Sequence, residues 1–144
     1  MDEVRGKYLE EISEGMTAVF SKTVTEADIV LFAGATGDTN PIHLDEEYAK
    51  TTMFKGRIAH GLLSAGLISA VLGTRLPGPG CVYVSQNLKF KAPVKIGDTV
   101  KARVTVSAID QEKGRVTLAT TCHIGDKLVV DGEAQLMVPR RPKN

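Results

Sequence analysis

The most constraining feature of this 144-residue chain is the stretch from Ala59 to Leu72, which carries no charged side chain other than the imidazole of His60. It mixes Leu62, Leu63, Leu67, Ile68, Val71 and Leu72 with Gly61, Ser64, Ala65, Gly66, Ser69 and Ala70. A helix apolar on all sides has to be buried on all sides. At about 1.5 Å per residue it spans only ~20 Å, too short to cross a bilayer, so protein must enclose it. A curved sheet is the natural enclosure.

Sheet is what the following residues supply. After a loop-like Gly73–Gly80, apolar and β-branched runs cover residues 81–90, 98–109, 115–123 and 127–138. Turn chemistry separates them: Pro93 with Ile96-Gly97-Asp98, then Asp110 to Gly114, then Gly125-Asp126. Short breaks predict antiparallel neighbours. Upstream, residues 15–24 read as a first strand. Thr25-Glu26-Ala27-Asp28 reads as a cap and acidic first turn of a helix ending near Gly37, and residues 45–50 as a second short helix. The expected fold is α+β, an antiparallel sheet around one long helix, forming a single domain over residues 1–144. Such a sheet leaves edges, and pairing them between copies predicts at least a dimer.

The polar residues narrow the chemistry. A net charge of +1, with no basic run interleaved with aromatics, argues against nucleic acid, and no segment suits a membrane. The charged start Met1-Asp2-Glu3 lacks a signal peptide's apolar core, which predicts a cytoplasmic protein. Cys81 and Cys122 have no CxxC spacing and read as packing residues. His43, His60 and His123 are scattered along the chain, so no metal site is expected. The glycines at 73–80 lack the Lys-Ser/Thr ending of a phosphate loop.

The segment Gly37-Asp38-Thr39-Asn40-Pro41-Ile42-His43-Leu44-Asp45 is different, because an acid, an amide and an imidazole lie within a few residues of a proline. In a regular helix or strand Asp38 and His43 would diverge. Pro41 fixes its own φ and keeps Asn40 out of the helical region, so the chain turns and the two side chains can meet. A carboxyl and an imidazole sharing one water form an acid–base pair. The amide of Gly61, free of intrahelical partners at the head of the buried helix, is a candidate oxyanion donor, with His60-Gly61 as the helix entrance. By pattern alone a plainer reading leads: Asp38 as a turn cap, Asn40-Pro41 as a turn initiator, His43 as a satisfied interior histidine, Ser69 as a small core residue.

Over most of its length the chain resembles the MaoC-like family of hot-dog proteins, in particular the (R)-specific enoyl-CoA hydratases (hydratase 2). The likeness runs through Phe32-Ala33-Gly34, the segment from Gly37 to Asp45, Ile58-Ala59-His60-Gly61-Leu62-Leu63, Phe90-Lys91-Ala92-Pro93-Val94 and Gly97-Asp98. The resemblance implies a hot-dog fold, usually dimeric, in which Asp38 and His43 hold the catalytic water. It further implies that Asn40 supports the site, the Gly61 amide binds the thioester oxygen and Ser69 stands close by. The implied reaction is reversible syn hydration of a trans-2-enoyl thioester to the (R)-3-hydroxyacyl thioester. No metal or redox cofactor takes part, and coenzyme A enters only as part of the substrate. Rival readings are a 3-hydroxyacyl dehydratase acting on acyl carrier protein, an acyl-thioester hydrolase and a non-catalytic acyl-thioester-binding module.

Overall fold

In the computed structural model, which describes residues 4–143, five antiparallel strands form one sheet in the order β1-β3-β4-β5-β2. The strands are β1 Thr17–Thr23, β2 Val82–Phe90, β3 Thr99–Asp110, β4 Arg115–Ile124 and β5 Lys127–Met137. The helices are α1 Glu26–Thr36, α2 Pro41–Leu44, α3 Glu46–Ala49 and α4 Gly61–Thr74. This is the expected α+β hot-dog arrangement, with α4 lying in the curve of the sheet. Met1-Asp2-Glu3, the charged start, and Asn144, the end of the polar tail, lie outside the described residues.

Alternation builds the sheet's inner face. Val100, Ala102, Val104 and Val106 of β3 point inward, as do Val116, Leu118, Thr120 and Cys122 of β4, and Ala134 and Leu136 of β5. Leu67, Ile68, Val71 and Leu72 of α4 pack into that face. Each such side chain contributes about 1.5–3 kcal/mol relative to exposure. Burial pushes the Cys122 thiol up to about 12, which keeps it an uncharged packing group.

The helix borders follow their capping chemistry. Thr25 accepts from the Asp28 amide while the Asp28 carboxylate accepts from the Thr25 amide, and Gly37 closes α1 with φ 80°. α4 runs to Thr74, two residues past Leu72, so the loop begins later than its glycines suggested.

Two expectations are corrected. First, α4 is not enclosed on every side. Its stripe of Leu62, Gly66, Ser69 and Gly73 is open, with Leu62 57% exposed, because a five-stranded sheet curls around only part of a helix. Second, the short break between β2 and β3 does not make them neighbours. β2 pairs with β5 at the far edge, and residues 91–98 carry the chain back beneath the sheet. That step covers three strand spacings, roughly 14 Å. Eight residues reach up to ~26 Å, so the connection is unstrained.

Candidate active site

The crossing segment and the entrance of α4 enclose a cleft of about 440 Å³, lined by Asp38, His43, Ile58, His60, Gly61 and Phe90 among others. That volume falls within the range of small-molecule sites. Its walls are chiefly apolar: Met53 and Phe54 come from the loop after α3, and Ala92, Pro93 and Val94 from the crossing segment. The Ala59 amide donates to the Val94 carbonyl at 2.7 Å and joins those two walls.

Asp38, Asn40 and His43 converge because the segment forms a turn and then one turn of helix. Asn40 has extended backbone (φ −50°, ψ 126°), as a residue before proline must, and its side-chain oxygen accepts from the Ile42 amide at 3.0 Å. Pro41 is the first helical residue, where its missing N–H is not needed. The Asn40 amide donates to Asp38 Oδ1 at 3.3 Å, which ties the carboxylate to the same turn. Asn40 therefore acts through the backbone, as the cap of α2.

His43 is 8% exposed, and its Nδ1 lies 2.7 Å from the Ile58 carbonyl. A carbonyl only accepts, so Nδ1 carries the hydrogen and the lone pair of the neutral ring sits on Nε2. The ring of His60, 2% exposed, stacks on that of His43 with centroids 3.9 Å apart, and the tilted ring of Phe32 lies 4.6 Å from it. His60 Nε2 donates to the Asp38 carbonyl at 2.9 Å, which pins the start of the turn to the head of α4. Its Nδ1 is the one buried side-chain polar atom without a partner among the described residues.

The expectation of scattered histidines is thus corrected for His43 and His60, which the fold stacks; only His123, on β4, stands apart. Asp38, His43 and His60 each offer a donor atom within 4.8 Å of the others. The stacked rings meet at an interplanar angle of 27°, and with His43 Nδ1 and His60 Nε2 engaged by carbonyls the open ring nitrogens are His43 Nε2 and His60 Nδ1.

Gly61 opens α4, where the first amides have no intrahelical acceptor and the helix dipole is positive. A Cβ at this position would come within 2.7 Å of the Phe90 ring, so glycine is what allows Phe90 to cover the helix head. Ser69 is placed differently. It lies eight residues further along α4, about 12 Å away, on the open stripe and outside the cleft of a single chain.

The cleft thus brings a carboxylate, an imidazole and a helix-head amide together on a hot-dog scaffold. Residues 9–127 match the MaoC like domain, and the chain belongs to that family. It is 63% identical to an (R)-specific enoyl-CoA hydratase of Rhodospirillum rubrum, over 93% of each chain. It is 53% identical to a 3-hydroxybutyryl-CoA dehydratase of Methylorubrum extorquens, over 98% of this chain and 90% of that one. Among solved structures, the unliganded R-hydratase PhaJ1 of Pseudomonas aeruginosa superposes with a TM-score of 0.89 at 46% identity, covering 96% of this chain and 89% of that one.

Proposed function

We propose that this protein adds water reversibly to trans-2-enoyl-CoA to give (R)-3-hydroxyacyl-CoA. The observation that carries the reading is the Nδ1–H bond from His43 to the Ile58 carbonyl. It leaves an Nε2 lone pair in the same cleft as the Asp38 carboxylate and the Gly61 amide. In the forward direction Asp38 and His43 hold one water between them. The imidazole takes up a proton as the water oxygen bonds to C3, and the pair delivers a proton to C2 on the same face. Negative charge gathers on the thioester oxygen during the step, and the Gly61 amide answers it. Coenzyme A is the carrier portion of the substrate, and the chemistry calls for no metal or redox cofactor.

We further assign the chain, residues 1–144, to one domain that works in the cytoplasm as a homodimer or larger homo-oligomer. No described helix is long and apolar enough to cross a membrane. Association is supported by the edge position of β2, whose Val82, Tyr83 and Val84 are exposed, and by the open stripe of α4 carrying Ser69.

Crotonyl-CoA tests the reading. The conjugated absorbance should fall without release of free thiol, whereas thiol release would indicate a hydrolase. Comparing crotonyl-CoA with crotonyl-acyl carrier protein separates the two carriers, and the CoA ester should turn over faster. Unchanged absorbance with crotonyl-CoA and longer enoyl-CoAs would sink it.

A further inference from the structure

We propose that Arg57 is a positioning residue for His43, with Glu26 as its anchor; the catalytic consequence rests on the hydratase reading above. Arg57 lies in the segment entering α4, and its side chain is only 15% exposed. Its Nε donates to the His43 carbonyl at 2.6 Å. The two terminal nitrogens fork onto the Glu26 carboxylate of α1, at 2.8 and 3.1 Å. Its backbone amide reaches Glu46 of α3 at 3.4 Å. One guanidinium thus joins the first turn of α1 to the backbone of the residue that carries the proposed base.

The next residue completes the grip. The Ile58 amide donates to the Ile42 carbonyl at 3.2 Å, and the Ile58 carbonyl receives Nδ1 of His43 at 2.7 Å. Residues 57 and 58 therefore hold the catalytic turn at three points: the carbonyls of Ile42 and His43, and the imidazole itself. α2 is a single helical turn, too short to hold its own shape. The ring keeps its place only while its backbone is held, and Arg57 supplies the contact on the side away from the cleft. A planar guanidinium serves the carboxylate through two nitrogens and the carbonyl through a third, whereas a lysine places all its donors on one nitrogen and cannot reproduce that spread.

A displacement of about 1 Å at a proton-transferring group can lower the rate ~100-fold. Arg57→Ala should therefore lower kcat for crotonyl-CoA about 10- to 100-fold while changing KM less than about threefold. Arg57→Lys should restore the melting temperature but not kcat. If kcat returned together with stability, or if the loss fell on KM alone, the positioning role would be overturned. Glu26→Gln, which alters an exposed carboxylate and spares Arg57, provides a milder version for the case that Arg57→Ala folds poorly; a wild-type kcat there would remove Glu26 as anchor.

A second measurement needs no substrate. The chain has three histidines, so 15N spectra of the imidazoles in mildly alkaline buffer can follow each ring. The wild-type protein should show His43 as the Nδ1–H tautomer, and Arg57→Lys or Glu26→Gln should mix or broaden that signal. Unchanged His43 signals in both variants would contradict the proposal. If the signals shifted in a wild-type background inactive on every enoyl-CoA, the brace would stand and the hydratase reading would fall.

Discussion

The sheet from Thr99 to Met137 and the segment from Thr36 to Gly61 are held together in opposite ways. In the sheet, inward side chains such as Val104, Leu118 and Leu136 are fully buried and repeat with the two-residue period of a strand. Their contribution is collective, and no single polar contact decides the geometry. In the segment that bears the proposed site, the residues are largely exposed, and individual bonds set the shape: Asn40 to Ile42, His43 to Ile58, His60 to Asp38, Arg57 to His43. The sheet therefore carries the fold, and the turn carries the geometry of the proposed site. Stability and activity should be separable by mutation.

The sharpest way to break that comparison is at the acid–base pair. Asp38→Asn and His43→Gln should each lower turnover of crotonyl-CoA by about 10²–10⁴-fold, the range of a general acid–base contribution, while the melting temperature stays near wild type. Near-native rates in either variant would remove that residue from the proposed mechanism. The converse variant lies in the sheet-facing side of α4. Ile68→Ala, at a site with no exposure, should cost about 2–5 kcal/mol in denaturant unfolding yet leave kcat per folded molecule close to wild type. A large loss of kcat in the folded fraction would mean that core and site are coupled more tightly than their bonding implies.

The smallest effect concerns the N-terminal segment, which does not line the cleft. Arg5 bonds the Glu11 carboxylate at 2.7 Å and, with the Tyr8 amide, lowers its pKa from 4.5 to about 2. A carboxylate depressed in the folded state supports folding above its unfolded value, and that support is lost as pH falls through the folded one. Between about pH 4.5 and 2 the wild type should thus lose slightly more stability than Glu11→Gln, with hydratase activity at neutral pH equal in the two. Equal acid sensitivity would show that the ion pair contributes nothing measurable.

Much of the architecture was legible from local chemistry. Thr25, Asp28 and Gly37 marked α1 almost to the residue, and Gly114 and Gly125, both at positive φ, marked the two tight connections of the β3-β4-β5 meander. Pro41 predicted the turn on which Asp38 and His43 meet. What escaped sequence reasoning was long-range. Strand order placed β2 beside β5, a relation that no turn residue encodes. The open stripe of α4 was invisible because Gly66, Ser69 and Gly73 are as uncharged as the face that packs on the sheet. The stacking of His60 on His43 and the reach of Arg57 to both Glu26 and His43 depend on tertiary placement, and an isolated arginine after Lys55-Gly56 gives no local signal of a clamp. The family resemblance marked Ser69 as a neighbour of the site, but in one chain it faces outward.

The most direct test of the central claim is the stereochemistry of the hydration product of crotonyl-CoA, resolved chromatographically after incubation with the wild-type protein. The expected product is (R)-3-hydroxybutyryl-CoA, formed without free thiol and far more slowly by Asp38→Asn or His43→Gln. An (S) product, or no hydration at all, would contradict it.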